Sequence, residues 1–227
     1  AHWKGNPGAL ELIKSRKIGV QDEGSQLVAS VFAAAAGGSS WLDMCAGPGG
    51  KAALLSAIAR QRGVLFTANE ISIPRAELVK QVVHGDTVLV GDGREIGNQI
   101  EKFDAILIDA PCTGLGALRR RPEVRWRRTL QDLRELTQLQ RELIDSGVKA
   151  LATGGVLGYA TCSPHLAETS IQVSDLKKRF PQMEQIEITS FLPNNLSESQ
   201  RSGAMSLWTH KTGTDAMYLA LFRKVSE

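Results

Sequence analysis

Short apolar runs alternate with amphipathic stretches along most of this chain, which confines it to βαβ units around a mostly parallel sheet. Strand-like runs fall at 41–46, 64–70, 87–91, 104–109 and 156–162. Between them, 50–61, 73–84, 131–152 and 166–180 carry apolar residues at helical spacing, as Leu133, Leu136, Leu139, Leu143 and Ile144 do on one face. After Pro181 the pattern turns strand-like again at 184–191 and 216–222, separated by a Ser/Asn/Gly-containing stretch that reads as a long loop. The expectation is an α/β fold with a mostly parallel seven-stranded sheet and helices on both faces. Residues 1–36 stand outside the alternation. There Val20–Ser25 reads as a turn capping a helix through Gln26–Ala35, a lead-in packed on a main domain spanning 37–227.

At 227 residues one large domain is expected, and no apolar run approaches the roughly 20 residues a bilayer span needs, so no membrane role is expected. The first residues, Ala1-His2-Trp3-Lys4, lack an initiator Met and an apolar signal region, so they read as the interior of a longer chain with a further domain upstream. Cys45, Cys112 and Cys162 are too few and too dispersed for a disulfide framework or a metal cluster. A monomer in a reducing cytoplasm, with no metal, is the expectation. The formal charge of +3 conceals a concentration: Arg119, Arg120, Arg121, Arg125, Arg127 and Arg128 face only Glu123, a local +5, so the rest of the chain sums to −2. Such a run is commonly a solvated loop, but Trp126 and Pro122 within it favour a nucleic-acid surface built from Arg119, Arg120, Arg121, Arg125 and Trp126.

Strand Trp41–Ala46 runs into Gly47-Pro48-Gly49-Gly50-Lys51 and then a helix, so backbone N–H groups at a helix start lie open to a ligand. The glycines alone fit a tight turn equally well. Glu70, at the end of the second strand, sits where nucleoside sites carry a ribose-binding carboxylate, and Asp92 ends the third strand. With Asp43 and Asp109, these acids suit the sulfonium of S-adenosylmethionine better than a pyrophosphate.

The fourth strand ends in Asp109-Ala110-Pro111-Cys112-Thr113-Gly114 and the fifth in Thr161-Cys162-Ser163-Pro164. If the two are parallel neighbours, their carboxyl ends lie about 5 Å apart and both thiols can face one substrate base. A lone strand-end Cys is more often core than catalyst; a pair beside a cofactor crevice reverses that prior.

The segments LDMCAGPGGK, DAPCTG, RRRPEVRWRR and YATCS resemble, in order and spacing, the Nop/Sun/Fmu family of RNA cytosine-5 methyltransferases, from about Gly19 to the end of the chain, with the Arg-Pro-Glu-Val-Arg-Trp stretch similar to its bacterial ribosomal-RNA branch. The resemblance implies a Rossmann-like class I methyltransferase fold, S-adenosyl-L-methionine as cofactor and ribosomal RNA as partner. It also implies that Cys45, Ala46, Gly47, Pro48, Gly49, Gly50, Lys51, Glu70, Arg75, Asp92 and Asp109 hold the cofactor, that Cys162 is the nucleophile, and that Cys112 helps release product. Asp109 is then available to the N3 edge of the cytosine. Family members often carry Ala or Pro where Gly47 stands, Asp where Glu70 stands, and Glu-Asn where this chain has Glu168-Thr169. Two other readings compete: a DNA cytosine-5 methyltransferase with Cys112 as attacker, whose Glu-Asn-Val segment is absent here, and a non-catalytic RNA-binding module. A nicotinamide dehydrogenase leaves the two thiols without a role.

Overall fold

A computed structural model describes residues 6–15, 18–98, 101–193, 196, 200, 201 and 203–227. The helices are α1 (Glu11–Lys14), α2 (Glu23–Ala35), α3 (Gly50–Gln61), α4 (Ile73–Lys80), α5 (Val124–Arg127), α6 (Leu130–Ala150), α7 (Ser170–Arg179) and α8 (Thr209–Thr212). The strands are β1 (Ser40–Asp43), β2 (Leu65–Glu70), β3 (Thr87–Val90), β4 (Phe103–Asp109), β5 (Leu151–Thr161), β6 (Met183–Ile186), β7 (Gln200–Arg201), β8 (Ala204–Ser206) and β9 (Tyr218–Lys224). They form one sheet in the order β3-β2-β1-β4-β5-β9-β8-β7, with β6 also paired to β9.

The five strands β1 to β5 pair in parallel, as the alternation predicts, while β9 enters antiparallel between β5 and the pair β6 and β8. Connections from β1 lead outward to β2 and β3, and those from β4 lead the other way, so the order reverses between β1 and β4. In an open α/β sheet that reversal leaves a crevice at the strands' carboxyl ends. Strand alternation divides the core between two faces. Trp41, Leu107, Val156 and Leu219 pack with Val28 and Phe32 of α2 and Leu55 of α3, whereas Leu42, Ile106, Ile108, Leu157 and Phe222 pack with Leu143, Ile144 and Val148 of α6 and Leu176 of α7. Helix α6 opens on a capping box in which Thr129 and Asp132 each satisfy the other's backbone N–H.

The seven expected strands are present, with three adjustments. Helix α6 stops at Ala150 and β5 begins at Leu151, because Leu151 already pairs with Phe103 of β4; the ladder then shifts register past Gly154 and Gly155 and resumes at Val156. The expected strand at 184–191 ends at Ile186 and passes into a 3-10 turn at Ile188–Phe191 that buries Ile188. The stretch read as a long loop holds the short hairpin of β7 and β8. Of the expected lead-in over 1–36, residues 1–5, 16 and 17 lie outside the described residues; α2 supplies Val28, Ala29, Val31, Phe32 and Ala33 to the core.

Candidate active site

The chain leaves β1 at Asp43 and turns through Cys45–Gly49 into α3. Gly49, the N-cap of α3, has φ of 110°, a left-handed conformation that only glycine adopts without strain. Gly47 is required for space instead: a Cβ there would lie 2.8 Å from Glu70 Cδ and 2.9 Å from Arg75 Nε. Its N–H donates to Glu70 Oε2 at 3.0 Å, the Ser72 N–H donates to Glu70 Oε1 at 2.9 Å, and Arg75 donates to the Gly47 carbonyl while standing 3.6 Å from the Glu70 carboxylate. Glycine at 47 and glutamate at 70 are therefore one feature. The longer carboxylate fills the volume an alanine methyl would take.

A cavity of about 960 Å³ opens at these strand ends, lined by Cys45, Gly47, Lys51, Glu70, Arg75, Asp92, Asp109, Cys112 and Cys162, among others. The structure thus gathers in one cavity residues of the expected set up to 117 positions apart, from Cys45 to Cys162. Ala46, Pro48, Gly49 and Gly50 shape the turn behind the wall without lining it. Each lining acid of the expected set has a cation: Lys51 Nζ bonds Asp109 at 2.8 Å, Arg94 bonds Asp92 at 2.6 Å, and Arg75 attends Glu70. The Arg94 bonds hold Asp92 below the usual carboxylate range. Burial opposes the Lys51 charge, but Asp109 more than offsets it and the ammonium pKa is raised.

Asp43 differs from the expectation that it lines the crevice. It is fully buried behind the wall, neither oxygen has a hydrogen-bond partner among the described residues, and burial, reinforced by the Asp109 charge, pushes its pKa up to about 7. Lys51 offsets only part of this, and a buried carboxylate without hydrogen bonds or a full counter-charge is costly. A cationic ligand in the neighbouring cavity relieves that cost, so the wall fits a cofactor bearing sulfonium and ammonium groups.

The two thiols meet. β4 and β5 are in parallel register through Asp109 and Ala160, and beyond them the Ala110 N–H donates to the Ala160 carbonyl at 2.9 Å and the Gly116 N–H to the Cys162 carbonyl at 2.9 Å. This clasp sets Cys112 Sγ 3.4 Å from Cys162 Sγ. Their acidities divide: the hydrogen bond from Cys112 lowers the Cys162 pKa, whereas that same bond and burial raise Cys112 well above an ordinary thiol. Cys162 ionises first and Cys112 keeps its proton, which matches a nucleophile beside a proton-bearing partner.

Sequence reasoning assigned no role to Glu168. It is fully buried and accepts from the Thr113 N–H at 2.8 Å, the Thr113 hydroxyl at 2.6 Å and Gln140 Nε2 at 3.1 Å, so it ties the turn after Cys162 to the residue that follows Cys112. Its signal in the sequence was its place six residues beyond Cys162, in the Glu168-Thr169 pair where the resembled family carries Glu-Asn.

The basic segment is only partly free. Arg119 bonds Asp22 at 2.9 Å and stands 3.6 Å from Asp215, and Arg120 forks onto Asp215, so the buried carboxylates Asp22 and Asp215 anchor both. Arg128 also stands 3.8 Å from Asp132, so the local +5 falls to about +2 in space. Arg121 lines the cavity, and Arg125 stacks 5.3 Å from the centroid of Trp126, whose ring is 82% exposed. No helix among the described residues is long and apolar enough to cross a membrane, and none of their His, Cys, Asp and Glu groups forms a metal-binding cluster.

Residues 31–223 match the family described as 16S rRNA methyltransferase RsmB/F. A Mycobacterium tuberculosis protein named as a methyltransferase is 44% identical over 98% of this chain and 50% of its own length. The ribosomal RNA small subunit methyltransferase F of Cronobacter sakazakii is 30% identical over 91% of this chain and 45% of its own. The crystal structure of NSun6 from Pyrococcus horikoshii with SFG superposes at a TM-score of 0.83 and 25% identity, covering 99% of this chain and 57% of that one. The chain spans about half the length of these relatives, and the Rossmann-like methyltransferase fold expected from the sequence is borne out.

Proposed function

The chain belongs to the 16S rRNA methyltransferase RsmB/F family, and from that membership and the paired thiols we propose that it is the methyltransferase domain of an enzyme that forms 5-methylcytosine in ribosomal RNA with S-adenosylmethionine as cofactor. When bound, the cofactor supplies an electrophilic methyl group on a sulfonium. Cys45, Gly47, Lys51, Glu70, Arg75, Asp92 and Asp109 would hold it, the carboxylates serving its hydroxyl and cationic groups. Helix α2 of the lead-in packs on this domain, and a further RNA-binding domain completes a cytoplasmic monomer.

The observation that carries the reading is the 3.4 Å approach of Cys112 and Cys162 at neighbouring strand ends. Carbon 5 of cytosine is a poor nucleophile. Addition of the Cys162 thiolate to carbon 6 places electron density on carbon 5, where the methyl is taken. Asp109, with its carboxylate fixed by Lys51, is available to the N3 edge of the ring. Release passes the carbon 5 proton to the Cys112 sulfur once that thiol has given its own proton to solvent; the C–H pair re-forms the 5,6 double bond and the sulfur–carbon pair returns to Cys162. Arg121, Arg125, Arg127 and the exposed Trp126 supply phosphate contacts and a stacking face for the RNA. A non-catalytic RNA-binding module gives no account of the thiol pair or of the buried unpaired Asp43. The reading is tested by incubating the full-length protein with unmodified 16S rRNA transcript and labelled cofactor, followed by nucleoside analysis. Label in 5-methylcytosine supports it, and label elsewhere or nowhere rejects it.

A further inference from the structure

We infer that Glu168 is a positioning residue for Cys112, clamping the loop that carries this thiol to the turn that follows Cys162 so that the two sulfurs stay in register through product release. The inference rests on the two-thiol reading above and deepens it. Three donors converge on the Glu168 carboxylate, two from Thr113 and one from Gln140, and Gln140 Nε2 also donates to the Pro111 carbonyl at 2.8 Å. The peptides on both sides of Cys112 are thus held from one point. Tyr159, inside β5, donates to the Glu168 carbonyl at 2.8 Å and to Gln140 Oε1 at 3.2 Å, which fixes the clamp to the strand that ends at Cys162.

A link of this kind made only for stability would be expected to use a neutral side chain, since an acid with no exposure and, among the described residues, no basic partner bonded to it carries a desolvation penalty. Its negative charge has an effect on the neighbour: it is among the influences that keep the Cys112 proton in place while Cys162 ionises. Glu168 takes no part in making or breaking bonds. It acts through the place and protonation of the Cys112 sulfur.

The test uses the full-length protein, unmodified 16S rRNA transcript as probe, and three variants: Glu168→Gln, which keeps the shape and removes the charge; Thr113→Val, which removes one donor; and Cys112→Ala as reference. Glu168→Gln is expected to retain covalently bound RNA on a denaturing gel at about tenfold the wild-type level, with turnover falling by about the same factor. Its KM for RNA and its affinity for adenosylhomocysteine stay at wild-type values, and its pH profile for turnover shifts to lower pH. Thr113→Val shows a smaller rise in adduct and carries the test if Glu168→Gln does not fold. Overturning the inference requires that Cys112→Ala trap an adduct while folded Glu168→Gln or Thr113→Val releases RNA at the wild-type rate, or that these variants lose adduct formation along with turnover. If Cys112→Ala itself traps nothing, the two-thiol reading fails instead, and the two failures are told apart.

Discussion

Gly47→Ala and Glu70→Asp should each harm the protein and together nearly repair it. The methyl added at Gly47 would fall within the Glu70 carboxylate, 2.8 Å from Cδ, so the carboxylate must swing away by about an ångström. In doing so it gives up the 3.0 Å bond from the Gly47 N–H, a charge-assisted bond worth about 1.5–3 kcal/mol. Glu70→Asp draws the carboxylate back by one methylene and loses a similar amount, about 1–3 kcal/mol, by opening a gap at the same N–H. In the double variant the alanine methyl occupies the space the shorter acid vacates. We expect a combined loss of at most about 2 kcal/mol where independent effects sum to about 2.5–6, a coupling of at least about 0.5–4 kcal/mol. Urea unfolding of the four proteins, with adenosylhomocysteine titrated calorimetrically into each, reads both stability and cofactor affinity. A double variant that loses the sum of the single losses to within about 0.5 kcal/mol refutes the steric coupling.

Three further outcomes follow from the site. Asp43, with a folded pKa raised to about 7 from an ordinary 3.8, contributes stability at pH 4 that is lost as pH rises through 7, on the order of 4 kcal/mol; Asp43→Asn should flatten the decline in ligand-free Tm between pH 5 and 8 while weakening cofactor binding, and an equally steep decline in the variant counts against this. Replacing Arg121, Arg125 and Arg127 by Ala should reduce the salt slope of RNA binding by up to about 2, whereas Arg119→Ala and Arg120→Ala should lower Tm by stranding Asp22 and Asp215; an unchanged slope would leave the segment a solvated surface. Because the Cys112 hydrogen bond lowers the Cys162 pKa, iodoacetamide should alkylate Cys162 with a midpoint below the ordinary thiol value, moving up in Cys112→Ala; a midpoint that does not move removes Cys112 as the cause.

The parallel half of the sheet was legible because each strand carries its own apolar run and four of the five end in a polar residue, Asp43, Glu70, Asp109 and Thr161, while β3 ends at Val90, two residues before Asp92. The boundary at 150/151 was not, since Leu151 and Ala152 satisfy a helical pattern as well as a strand and only pairing with β4 decides between them. The hairpin of β7 and β8 was hidden for a similar reason: Ala204–Ser206 is too short to show a period, and its pairing with β9 is non-local. At the site, residue types at strand ends announced the thiols and the acids. What escaped was partnership across the chain. Asp22 and Asp215 stand 193 positions apart yet together neutralise two arginines that look free in sequence, and Glu168 carries no motif of its own. Burial separated Asp43 from the lining acids, because only the course of β1 shows it turned into the core.

The central claim is that two thiols 3.4 Å apart perform opposite halves of one covalent cycle, Cys162 attacking and Cys112 assisting release. The most direct measurement mixes full-length Cys162→Ala or Cys112→Ala with unmodified 16S rRNA transcript and S-adenosylmethionine and resolves the products by denaturing gel electrophoresis, with nuclease treatment as control. Cys112→Ala should give a nuclease-sensitive protein–RNA band, because attack proceeds and elimination stalls, while Cys162→Ala should give neither band nor methylated product. A band from Cys162→Ala and none from Cys112→Ala would contradict the assignment and make Cys112 the attacking thiol.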